Sequence, residues 1–296
     1  EDLIIDGCAF TETEFTGVTE DVLHSKMDAF FLTIPGEGNG YVASTRSIGK
    51  IYNMLDNPKY GLMIAKSVAD IYKAKEDGKK ALILAFQNPN SIENSLEQLR
   101  VFYELGVRVI QMTYNDANFI GTGCCESQDG GLTDFGKRVL KMMNRLGMLV
   151  DVSHIATAGF WDVIETSTKP IIATHSNAKT LCSHPRNLND DQIKAINAND
   201  GLIGITFAGQ FLEEDYNNAC IDSVYRHIDY MLNLLGNDDH VGFGSDFDGI
   251  SHPPYNIHGV QDYKPLIEYL QSKNYSDSTI EKITHKNVLN LLSKVL

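Results

Sequence analysis

The sequence predicts an α/β fold of the (β/α)8 TIM-barrel class, and three observations predict it. Eight short apolar runs recur along the chain, each is followed by a segment with helical spacing, and no linker divides the 296 residues. Runs that are apolar throughout, and not only at every second position, mark strands covered on both faces, the condition of a parallel sheet flanked by helices. Eight such units close most economically into a barrel, and barrels of this length form one domain, here 1–296. A doubly wound open sheet is the competing arrangement.

In order, the runs are 3–5, 29–34, 81–86, 107–112, 148–153, 170–174, 202–207 and 241–245. Helix 91–105 is expected to stop at Gly106 and helix Asp134–Leu146 at Gly147, each glycine supplying the left-handed turn that ends a helix before a strand. Ser278 and Glu281 are spaced as a capping box opening the last helix. No tract rich in Gly, Ser or Pro interrupts the pattern.

Composition narrows the function. A net charge of −14 and a pI near 5.0 leave no basic face for a phosphate backbone or an acidic membrane surface, so neither nucleic acid nor membrane is an expected partner. The cysteines, Cys8, Cys124, Cys125, Cys182 and Cys220, are odd in number and scattered, which reads as free thiols in a reducing compartment. No run of about 18 apolar residues exists, and the first residues have neither a basic nor an apolar leader segment. A cytoplasmic location is therefore expected.

In a parallel barrel the site lies at the carboxyl ends of the strands, so the polar residues that follow each run carry the chemistry. The fifth run ends in Asp151-Val152-Ser153-His154, the sixth in Thr174-His175-Ser176-Asn177 and the eighth in Gly244-Ser245-Asp246-Phe247-Asp248. Two imidazoles and a carboxylate aimed at one mouth suit zinc or a similar ion. His24, His184, His227, His240, His252, His258 and His285 fall in loops or helices and are expected to be structural.

The stretches Gly131-Leu132-Thr133-Asp134-Phe135-Gly136, Asn144-Arg145-Leu146-Gly147-Met148, Asp151-Val152-Ser153-His154, Thr174-His175-Ser176-Asn177-Ala178, His184-Pro185-Arg186-Asn187-Leu188 and Gly244-Ser245-Asp246-Phe247-Asp248-Gly249 resemble, in order, the renal (membrane) dipeptidase family of the amidohydrolase superfamily. The resemblance implies a barrel of the metal-dependent hydrolase type, dipeptide hydrolysis and two zinc ions bridged by a glutamate. By position it implies that His154 and His175 ligate the second metal, that Arg186 holds the substrate carboxylate and that Asp246 transfers protons.

The first half of the family's site is altered. Its His-x-Asp after the first strand is matched by Cys8-Ala9-Phe10, its bridging glutamate by Gln87, and the histidine that contacts substrate after the fourth strand by Tyr114. Phenylalanine cannot ligate a metal, and a neutral amide bridges two dications poorly. A dinuclear centre is therefore not expected. One metal at His154 and His175, with Cys8 as a possible third ligand, is expected, and a metal-free site is the alternative.

Three functions follow. The leading one is a dipeptidase-like amidohydrolase, with Asp246, Tyr114, His154 and His175 catalytic and Arg186, Tyr114 and Gln87 binding a small dipeptide or peptide-derived carboxylate. The second is metal-independent acid–base chemistry (isomerisation, cyclisation or elimination) by the same groups, with Cys8 a candidate nucleophile or a mere space filler. The third is a binding protein without catalysis. Cys124 and Cys125 are expected to be loop thiols at the mouth, and a homodimer is possible.

Overall fold

The computed structural model describes residues 3–9, 20–34 and 40–296, and Phe10 lies outside them. Nine parallel strands form one sheet: β1 (Ile5–Ala9), β2 (Ala29–Ile34), β3 (Leu62–Ile64), β4 (Lys80–Phe86), β5 (Val107–Gln111), β6 (Leu149–Asp151), β7 (Ile172–Ala173), β8 (Leu202–Ile205) and β9 (Val241–Phe243). The order β2-β1-β9-β8-β7-β6-β5-β4 is closed by pairing of β2 with β4, from Ala29 opposite Ala81 to Ile34 opposite Phe86. The result is an eight-strand barrel, with β3 appended outside it on β4 through Leu62–Lys80 to Ile64–Leu82.

The appended strand is absent from the sequence expectation. Its three residues are too short a run to carry a periodic signal, and only its pairing with β4 defines it.

Side-chain alternation divides the apolar residues into two cores. Ile5, Ala29, Phe31, Ile83, Val109 and Leu202 point inside the barrel, while Phe30, Leu32, Leu84, Ile110, Ile203 and Val241 face the helices outside. Both faces are dry, which is why the runs read as continuous. The terminal helix Asn287–Val295 packs Val288, Leu289, Leu291, Leu292 and Val295 into the inner core with Leu149 and Leu202.

Helix ends follow the turn chemistry, with two corrections. Helix Asp134–Leu146 ends at Gly147 in the left-handed conformation (φ 80°). The expected helix 91–105 begins later, at Leu96, because Ser95 caps it through the Gln98 N–H, while Asn90–Ile92 is a separate single turn. The last helical segment is capped by Ser276, which accepts from the Thr279 N–H; Ser278 lies inside the first turn, and Glu281 pairs with Lys286.

Candidate active site

The ends of β1, β6, β7 and β9 bring Cys8, His154, His175 and Asp246 together. Asp246 after β9 and His154 after β6 both adopt left-handed backbone angles (φ 63° and 65°), a conformation L-residues hold only when the surroundings impose it. The turn throws each side chain back over the mouth. Asp6 and Asp151, carboxylates inside strands β1 and β6, are fully buried and anchor these turns. Asp6 accepts from the Cys8 and Ser245 N–H groups and from the Ser245 and Tyr263 hydroxyls. Asp151 accepts from the Ser153 and Thr174 N–H groups and, at 2.5 Å, from the Thr174 hydroxyl. Burial raises both above the usual carboxylate range, against the pull of those donors.

The two imidazoles meet directly, with His154 Nε2 and His175 Nε2 2.9 Å apart. Their other nitrogens are committed. His175 Nδ1 lies 2.8 Å from the Thr174 hydroxyl oxygen, whose own hydrogen goes to Asp151, so the imidazole is the donor there. His154 Nδ1 lies 2.7 Å from Asn115 Oδ1, an acceptor, and must also carry its hydrogen. Both Nε2 atoms therefore face each other with lone pairs, an arrangement that a shared cation relieves. Burial, then the Arg186 charge, holds both imidazoles well below their ordinary pKa, so neither is readily protonated.

Tyr114 stacks on His154, with ring centroids 4.3 Å apart and planes 24° apart. Cys8 Sγ donates to Asp246 Oδ1 over 3.6 Å and lies 3.9 Å from the Thr33 hydroxyl. Burial, then Asp246, Asp6 and Asp151, keeps this thiol protonated. Burial also pushes Asp246 up to about 7, partly opposed by Arg186. Donor atoms of Cys8, His175 and Asp246 all lie within 4.8 Å of one another; among the described residues this is the group of three able to hold an ion, with His154 reaching it through His175.

Arg186 is 4% exposed. Its Nη2 donates to the His175 carbonyl (2.8 Å) and its Nη1 to Ser176 Oγ (3.5 Å), while its Nε has no partner. Among the described residues it forms no salt bridge. With His154, Cys124, Ser176 and Lys179 it lines a cavity of about 230 Å³ at the mouth. Gln87 instead lines a space of about 10 Å³ inside the barrel, with Cys8, Thr33, Gln111 and His175. A larger cavity of about 900 Å³ lies at the opposite end of the barrel, among Leu3, Asp28, Lys75 and His285, away from these groups.

Sequence reasoning gave no role to Asp6, Asp151, Thr174 and Asn115, the groups that orient the site. A signal existed for the two carboxylates: each is a lone charge in an apolar strand, two or three residues before a site residue. His227 holds loops together, accepting from the Ala178 N–H and donating to the Leu212 carbonyl. Cys124 and Cys125 are free thiols 3.9 Å apart, and their N–H groups donate to the His154 and Asn115 carbonyls. Among the described residues no helix is long and apolar enough to cross a membrane.

A closed parallel barrel with paired imidazoles, a thiol, a carboxyl and a buried arginine at its carboxyl end defines a hydrolase of the amidohydrolase architecture. The chain belongs to the membrane dipeptidase family, peptidase family M19, whose model matches residues 11–296. It is 37% identical over 243 residues to an uncharacterised protein in the pqqA 5′ region of Klebsiella pneumoniae, covering 79% of this chain and 89% of that one. It is 33% identical over 255 residues to the dipeptidase aclJ of Aspergillus oryzae, covering 84% of this chain and 60% of that protein. A crystal structure of an amidohydrolase from Pseudomonas aeruginosa superposes with a TM-score of 0.92 at 30% identity, over 99% of this chain and 96% of that one.

Proposed function

We propose that this protein hydrolyses the amide bond of a small dipeptide or a closely related peptide-derived carboxylate, with at most one metal ion in its site. Arg186 carries the reading: a buried guanidinium without a carboxylate partner among the described residues, lining the same cavity as His154, is placed to take the substrate's carboxylate. The identity to a dipeptidase over most of the chain supports the same substrate class.

The residues do not fit two zinc ions, because Gln87 brings no charge to the bridging position. They do fit one, since donor atoms of Cys8, His175 and Asp246 lie within 4.8 Å of one another and His154 Nε2 faces His175. A bound ion supplies Lewis-acid polarisation of the scissile carbonyl and an acidified water. Arg186 orients the carboxylate end of the substrate. Asp246 takes a proton from the attacking water and returns one to the departing amine. Tyr114, held on His154, flanks the carbonyl.

The poise of Asp246 beside two neutral imidazoles supports a second reading, metal-independent proton transfer next to a carbonyl. One experiment separates the two. Purified protein is assayed against a dipeptide panel, including members with a carboxyl-terminal D-residue, before and after chelation. Hydrolysis that stops with the chelator and returns with zinc is expected. Undiminished turnover of metal-free protein overturns the metal-assisted route, and binding without chemical change across the panel overturns the enzymatic one.

A further inference from the structure

We propose that Cys8 is an anionic ligand of a single soft or borderline divalent ion, held with Asp246 and His175 and with its fourth position open to water. This rests on the metal-assisted reading above and specifies its donor set.

Distance comes first. An ion about 2.3 Å from a thiolate and about 2.1 Å from a carboxylate oxygen, in tetrahedral geometry, sets those two atoms about 3.6 Å apart. Cys8 Sγ and Asp246 Oδ1 are 3.6 Å apart. The ion takes the place of the proton that now bridges them, and the Cys8 proton leaves to solvent. A ring nitrogen of His175 belongs to the same group, and His154 Nε2 stands behind it, 2.9 Å from His175 Nε2, leaving the fourth position to water.

Charge fixes the number of ions. One dication is neutralised by the Cys8 thiolate and the Asp246 carboxylate. The nearby Asp6 and Asp151 spend their oxygens on hydrogen bonds to Ser245, Tyr263, Ser153 and Thr174, leaving Gln87 and Gln111 as the further donors. A second dication would go uncompensated in a buried site beside Arg186.

Space agrees with charge. The interior cavity that Cys8 and His175 share is about 10 Å³, room for about one water. Gln111, fully buried, lines that space and its Oε1 has no partner, an acceptor for one water and not a charged bridge between two ions.

A thiolate in the set favours zinc, cobalt and cadmium over magnesium and manganese. The test loads chelator-treated full-length protein with cobalt(II) and reads its absorption spectrum. One cobalt per chain is expected, with a near-ultraviolet thiolate-to-cobalt charge-transfer band that zinc removes and magnesium does not. Cys8→Ser should lose the band and weaken cobalt binding about ten-fold or more, whereas Cys8→His should keep the ion without the band. Circular dichroism checks that both variants are folded. Cobalt bound without the band, two cobalt ions per chain, or no cobalt bound at all overturns the proposal. A band that depends on Cys8 in a protein inert toward dipeptides sustains it while sinking the dipeptidase reading.

Discussion

In the proposed hydrolysis, Arg186 and Asp246 are the residues on which the chemistry depends most directly. Removing the guanidinium leaves a substrate carboxylate without its charge-assisted partner, an interaction of about 2 kcal/mol. Arg186→Gln is therefore expected to lower kcat/KM roughly thirty-fold, chiefly through KM, in steady-state assays. Asp246→Asn keeps the shape of the site and removes the group that moves the proton, so kcat should fall on the order of 100-fold or more. An unchanged kcat would place the proton-transfer role elsewhere. His154, His175 and Asp246 could be singled out in the sequence because each stands just beyond a strand end in a recognisable block, and Arg186 only because the block His184-Pro185-Arg186-Asn187-Leu188 resembles the family's. Asn115 could not: nothing in Tyr114-Asn115-Asp116 indicates that its amide oxygen fixes the tautomer of a histidine 39 residues away.

At the scale of elements, two glycines let the strands close around the site. A Cβ on Gly244 would lie 1.7 Å from the Thr174 carbonyl oxygen, and one on Gly204 2.0 Å from it. The obstacle is backbone, so Gly244→Ala is expected to destabilise the fold by about 3 kcal/mol or more, measured by urea unfolding. The helix Ile221–Leu235 contributes a pH dependence through His227, which burial pushes down to about 4. Its folded pKa lies below the ordinary 6.5. The unfolded chain therefore binds the proton more readily, and the stabilisation present above pH 6.5 is lost as pH falls toward 4. About 3 kcal/mol is at stake, and His227→Gln should flatten that part of the stability profile in urea titrations from pH 7 to about pH 4. The sequence located seven of the eight barrel strands and the end of helix Asp134–Leu146, where apolar runs and a terminal glycine are local signals, but its first run, 3–5, meets β1 only at Ile5. It missed β3 and chose Ser278 over Ser276 as the last cap, because pairing and helix phase depend on what packs alongside.

For the molecule as a whole, the proposed ion would link metal to fold, since Cys8, His175 and Asp246 come from the ends of β1, β7 and β9 and an ion would tie them together. Zinc at about 100 times its dissociation constant should add about 2.7 kcal/mol of stability. That corresponds to a rise of roughly 5 °C in Tm by differential scanning fluorimetry, reversed by a chelator and reduced in Cys8→Ser. An unchanged Tm would mean that the site does not hold zinc. The barrel itself was determined by the sequence, because strands buried on both faces must be apolar along their length and that requirement is written residue by residue. The identity of the strand-end groups was determined there too, including Cys8 at the family's histidine position and Gln87 at that of its bridging glutamate. Tertiary structure alone decided how those groups meet. The opposed Nε2 lone pairs of His154 and His175, the Cys8–Asp246 contact and the unpaired charge of Arg186 arise from residues brought together from distant parts of the chain. Distance and orientation across a closed barrel, unlike hydrophobic period, have no signature in the order of residues.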